Sequence, residues 1–119
     1  MEPLNLVKSA LEKTNINAKI IYVDGSSKLK KLDNYTDLQD IVDGRIESFP
    51  SSHFCKYSKL QKFRFYVNEN GIFLKLPKNK HKKLKDMDVL GNLIIVKEDS
   101  EGKMIDFTVN DILFLNSVF

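Results

Sequence analysis

Residues 62–68 alternate in the way a strand with one buried face does: Phe63, Phe65 and Val67 are apolar, and Arg64 and Tyr66 stand between them. A side-chain period of two puts the first three on a core face and the other two opposite. Asn70-Gly71 follows, a pair that accepts the positive φ of a tight hairpin turn, and then an apolar run at 72–76 that Pro77 ends. The pattern predicts a β-hairpin of strands 62–68 and 72–76, trailed by a lysine-rich segment at 78–88.

The rest of the chain reads as short elements of both kinds. Leu4, Val7 and Leu11 share a face of a helix at 3–14, with Pro3 in its first turn. A strand at 18–23 stops at Asp24-Gly25, and the polar stretch 26–34 reads as a connection. Thr36 suits the N-cap of a short helix over 37–43 whose Leu38, Ile41 and Val42 lie on one face, with Gly44 at its end. A strand at 45–49 ends at Pro50, and 51–61 reads as a loop holding His53 and Cys55. Strands at 93–97 and 104–107 flank the turn sequence DSEGK. Thr108 and Asp111 have the spacing of a capping box for a last helix at 109–118, with Val109, Ile112, Leu113 and Leu115 facing a sheet. Strands outnumber helices, so the expected fold is α+β: a single small domain over 1–119, with a mixed, largely antiparallel sheet built from hairpins and helices packed on one side.

A chain of 119 residues with 42% hydrophobic residues is long enough to bury one core. Its net charge of +3 is mild, but the charge is unevenly placed. Ten lysines and arginines against one acid, Glu69, fall between Lys56 and Lys85, which leaves the remainder acidic. A lone cysteine, Cys55, excludes an internal disulfide, and the first residues lack a secretory pattern, so an intracellular location, cytoplasmic or nuclear, is expected. No apolar run approaches the ~18 residues of a membrane span, and no membrane partner is expected.

Four ordered motifs carry a family resemblance. Gly44-Arg45-Ile46-Glu47, Asn68-Glu69-Asn70-Gly71, Leu76-Pro77-Lys78-Asn79 and Gly91-Asn92 are similar in order and spacing to the small domain family known as domain of unknown function 3846. The similarity runs over about residues 18–113, with the helix at 3–14 as an addition and 51–62 as an insertion. Arg45 stands where the family pattern has an aromatic residue. The resemblance implies an origin in bacteria, phages or large DNA viruses, and it implies no chemistry.

The residues themselves point away from catalysis. Phosphate-loop, dinucleotide and nucleophile-elbow motifs are absent from the sequence. His53 and Cys55 lack a second ligand pair for zinc, and neighbours so close in sequence seldom orient as a nucleophile and base. Asp37, Asp40 and Asp43, with Glu47 beyond, read as a solvated helix face, as do Asp86 and Asp88. No metal or other cofactor is expected.

Binding is the remaining class. The expectation is a non-enzymatic interaction protein, a viral or phage-type accessory factor with a protein partner or a second copy of itself, docking through an apolar patch of Phe114, Val118 and Phe119. The alternative is a nucleic-acid or nucleotide partner held by Arg64, Lys78, Lys80, Lys82, Lys83 and Lys85, with Tyr57 and Tyr66 as stacking surfaces. A variant of it has a homo-oligomer sequestering a phosphorylated metabolite on Lys78, Lys80 and Arg64. A lysine-rich segment also serves simply to keep a sheet edge from pairing.

Overall fold

Leu93, Ile94, Ile95 and Val96 are each fully buried, and a strand apolar on both sides needs cover on both faces. The structure, a computed structural model, supplies that cover. It describes residues 16–33, 35–50, 62–84 and 86–119; the helix expected at 3–14, with His53, Cys55, Tyr57 and Lys85, lies outside the described residues. Within them the elements are β1 (Ile16–Ile21), β2 (Ser27–Leu32), α1 (Tyr35–Val42), β3 (Ile46–Phe49), β4 (Phe63–Asn68), β5 (Leu93–Glu98), β6 (Met104–Ile105) and α2 (Val109–Val118).

The strands form a six-stranded sheet in the order β2-β1-β5-β4-β3, with β6 also paired to β5, and every described pairing is antiparallel. Lys97 pairs with Phe63 of β4 and with Ile105 of β6, so β6 continues the edge of β5 that β1 begins. The α+β class stands, but the helices do not share a side. One face carries Ile16, Ala18, Ile20, Tyr66, Ile94 and Val96 against Leu38, Ile41 and Val42 of α1. The other carries Ile21, Phe63, Phe65, Leu93 and Ile95 against Leu115 and Val118 of α2 and against Leu84 and Val89 from the long connection after β4. Burying each of these large side chains contributes about 1.5–3 kcal/mol before entropy is counted.

Two further expectations give way. The polar stretch after Gly25 is strand β2, paired along its whole length with β1 from Ile16↔Leu32 to Ile21↔Ser27. Its lysines disguise it: Lys28, Lys30 and Lys31 are exposed, as befits an edge strand. Residues 72–76 are not a strand. Both edges of β4 are already taken, by β3 and β5, so no hydrogen-bonding edge is left for a hairpin partner.

Helix ends follow local chemistry. The α2 cap is the reciprocal one its sequence predicts, with the Thr108 hydroxyl accepting from the Asp111 main chain and the Asp111 carboxylate accepting from Thr108 N–H. Val109 and Leu113, expected over the sheet, face outward at 73% and 62% exposure, because the buried stripe runs instead through Asp111, Leu115 and Val118. Helix α1 begins at Tyr35, so Thr36 lies inside it rather than at its cap. At its end the left-handed position is taken by Asp43 (φ 60°), while Gly44 N–H reaches back to the Gln39 carbonyl at 3.0 Å.

Candidate interaction surface

The segment that replaces the expected hairpin strand is one helical turn. Leu74 N–H donates to the Asn70 carbonyl (2.8 Å), Lys75 N–H to Ile72 (3.1 Å) and Leu76 N–H to Gly71 (3.0 Å). The last two bonds are those of a Schellman ending, with Lys75 in the left-handed region (φ 55°) where glycine is the usual occupant. Successive side chains on a single turn point in different directions, and here they point to solvent. Ile72 and Phe73 are each 84% exposed and Leu74 is 51% exposed.

Three asparagines tie the loops together at this end of the sheet, and the first of them reaches the base of the tip. Asn68, at the end of β4, donates to the carbonyls of Val42 (2.9 Å) and Asp43 (3.2 Å), and its Oδ1 accepts from Asn70 N–H (2.7 Å). Asn79 donates to Ile21 (3.1 Å) and Gly91 (3.0 Å) and accepts from His81 N–H. Asn92 accepts from Val23 N–H and donates to the Ile41 carbonyl, both at 2.8 Å. The motif residues that carry the family resemblance thus meet at one end of the sheet as staples between loops. Side-chain amides suit that task because each offers two donors and an acceptor to main-chain groups that no strand or helix satisfies. No buried side-chain nitrogen or oxygen among the described residues lacks a partner.

Beneath the tip lies a groove of about 470 Å³ between β3, the end of β4 and the 88–90 segment. Phe49, Val67, Ile72, Phe73 and Leu90 give it apolar walls, and its charged lining residues, Glu47, Glu69 and Asp88, are all acidic. Glu69 also meets Arg45 at 3.4 Å, both side chains well exposed. Sequence reading missed this site because Ile-Phe-Leu passes for a buried strand. The available signal was the lack of alternation at 72–74, beside a strand that does alternate.

The basic residues divide into separate groups. Lys78, Lys80, Lys82 and Lys83 are exposed on the connection that returns toward β1, where Lys80 N–H donates to the Val23 carbonyl at 2.9 Å. The turn at Gly25 lies against the main chain of Lys80 and His81, and this connection covers the α2 side of the sheet through Leu84, whereas Lys28 and Lys30 of β2, opposite Ile20 and Ala18, stand on the α1 side. Lys80 also helps hold the Asp24 carboxyl low, after the stronger hydrogen bonds from Ser26. Arg64 is not with them. It pairs opposite Val96, toward the other end of β5, and its Nε meets Glu98 at 3.2 Å.

Tyr66 is not a stacking surface. It is buried in the core on the α1 side and its hydroxyl donates to Glu98 at 2.8 Å; burial, then the Glu98 charge, push the phenol above its ordinary range. Val118 is buried, and Phe114 and the C-cap residue Phe119 are half-buried against the same core, so the three present little outward apolar surface. Phe114 stacks on Phe63 at 6.3 Å. The Phe119 ring meets the edge of His81 at 5.6 Å. His81, read as a surface-loop residue, is buried: its Nδ1 accepts from Lys83 N–H and its Nε2 lies 3.2 Å from the Phe119 main-chain oxygen.

Two buried ionisable groups have structural partners. Asp111 bonds Lys97 (2.7 Å) and Lys62 (3.0 Å); burial alone would raise its carboxyl, but these lysines and Thr108 N–H outweigh it and hold the group well below the carboxylate range. Lys19 donates to Asn116 at 2.6 Å under α2, and burial lowers its ammonium. Among the described residues no three His, Cys, Asp or Glu side chains converge to hold a metal, and no helix is long and apolar enough to cross a membrane.

No curated protein and no solved structure matches this chain. The family model described as Domain of unknown function (DUF3846) matches residues 16–116, slightly wider than the motifs indicate and spanning every strand and nearly all of α2. The chain belongs to the DUF3846 family.

Proposed function

We propose that this domain is a non-enzymatic interaction module, an accessory factor of viral or phage type, that docks onto another protein through the tip at residues 72–74. The observation that carries the reading is the 84% exposure of both Ile72 and Phe73 on a turn closed by its own main-chain hydrogen bonds and tied to Asn68. Apolar side chains presented on a backbone turn that is already formed spare a partner the cost of ordering the loop, which favours an anchor there.

The test compares retention of a protein from cell extract by the wild-type chain, by Phe73→Ser and by a Lys80→Glu, Lys82→Glu, Lys83→Glu triple variant. The expected result is a band lost with Phe73→Ser and kept with the triple variant. A band indifferent to Phe73→Ser contradicts the reading. The exposure of Lys78, Lys80, Lys82 and Lys83 along one connection supports a second reading, in which that segment holds nucleic-acid or nucleotide phosphates. It predicts the reverse pattern, together with binding that falls steeply with salt.

A further inference from the structure

Charge at the groove is opposite to charge over the chain. The sequence has 19 basic and 16 acidic residues, yet among the described residues the charged side chains that line the groove are Glu47, Glu69 and Asp88, with Arg45 meeting Glu69 at 3.4 Å. We propose that the groove takes a linear segment of a partner protein in which apolar side chains are flanked by lysine or arginine; this rests on the protein-binding reading above. The apolar anchors seat against Phe49, Val67 and Phe73, and the cationic side chains reach the carboxylates at the rim. A volume of about 470 Å³ lies within the ~300–1,000 Å³ of ligand clefts, and it suits a few side chains rather than a folded surface.

A second copy of the chain is the poorer occupant. A two-fold interface through this patch brings the same surface together on both sides, which gathers Glu47, Glu69 and Asp88 of both copies into one interface. Like charges juxtaposed at an interface oppose association. Exposed carboxylates opposite mobile cations act mainly on encounter rate and register, so binding by this groove weakens with salt.

The experiment selects short linear peptides from a random displayed library on the full chain. Synthetic copies of the winners are then measured against wild type, Phe73→Ser, Ile72→Ser, and a Glu47→Gln, Glu69→Gln, Asp88→Asn triple variant. The expected winners pair apolar residues with lysine or arginine. They lose about tenfold or more in affinity with either tip variant, the scale of a lost anchor, and lose their salt dependence with the neutralised triple. Winners that need Phe73 but carry no positive charge overturn the inference and leave the protein-binding reading standing. No winners, or winners indifferent to both tip variants, overturn both. A concentration-dependent dimer abolished by Phe73→Ser makes the occupant a second copy and overturns the inference alone.

Discussion

Asn68 Nδ2 bonds the Val42 carbonyl at 2.9 Å across 26 residues of sequence, joining the end of β4 to the end of α1. The same amide leaves no room at Gly44, where a Cβ would come within 2.7 Å of it. Both Asn68→Ala and Gly44→Ala are therefore expected to destabilise the fold by about 1–3 kcal/mol, the first by orphaning main-chain groups and the second by overpacking. Because Gly44→Ala acts through the Asn68 side chain, the double variant loses less than the sum. Urea midpoints of the four proteins check this, and strict additivity refutes it.

Asp111 is the buried one of three carboxyls that the fold holds low, the exposed Asp24 and Asp106 being the others. Its folded-state pKa lies below the ordinary value of 3.8, so the unfolded chain binds the proton more readily and stability falls as pH drops below about 4. At neutral pH, Asp111→Asn leaves the largely covered Lys97 beside a neutral amide, while the half-exposed Lys62 returns to solvent, and the change is expected to cost about 1–3 kcal/mol. Chemical denaturation from pH 7 to pH 2 should show the wild type losing stability in the acid range and the variant losing distinctly less. Parallel curves would mean that Asp111 is not the group responsible.

Lys75 holds a conformation that favours glycine. Replacing it with Gly removes the left-handed penalty of about 1–2 kcal/mol and adds the backbone entropy of glycine, for a net gain of about 0.5–1 kcal/mol. A melting temperature that falls in Lys75→Gly shows that the side chain of Lys75, and not its backbone alone, supports the tip.

Removing residues 117–119 takes Val118 from the core and the Phe119 ring from His81. The structure makes this a stability change of about 2–4 kcal/mol by buried area, with no change in subunit number. Native mass spectrometry beside a denaturation curve separates the outcomes: a lower oligomer with unaltered stability restores the docking role that the sequence suggests for these residues.

What could be read without coordinates followed the strength of local signals. Thr108 and Asp111 announced α2 because a capping box is a contact between near neighbours. Strand β4 showed itself by alternation, and the Asp99–Lys103 turn by its DSEGK sequence. Strand β2 stayed hidden because Leu29 and Leu32 are too few to mark a period among lysines. The placement of 72–76 depends on what already pairs with β4, a long-range fact that Asn70-Gly71 cannot reveal. The same dependence concealed the site: Phe73 is exposed only because two other strands fill the sheet, and Phe114 and Val118 are covered only because α2 lies across it.

The central claim is that the tip, and not just any exposed apolar side chain, is where a partner docks. Leu113 on α2, 62% exposed, is the matched control. A photo-crosslinking residue placed at position 73, and separately at position 113, in the full chain inside its native cells tests the claim directly. The account predicts a discrete protein adduct from position 73 and none from 113. Equal adducts from both positions, or an adduct from 113 alone, would contradict it.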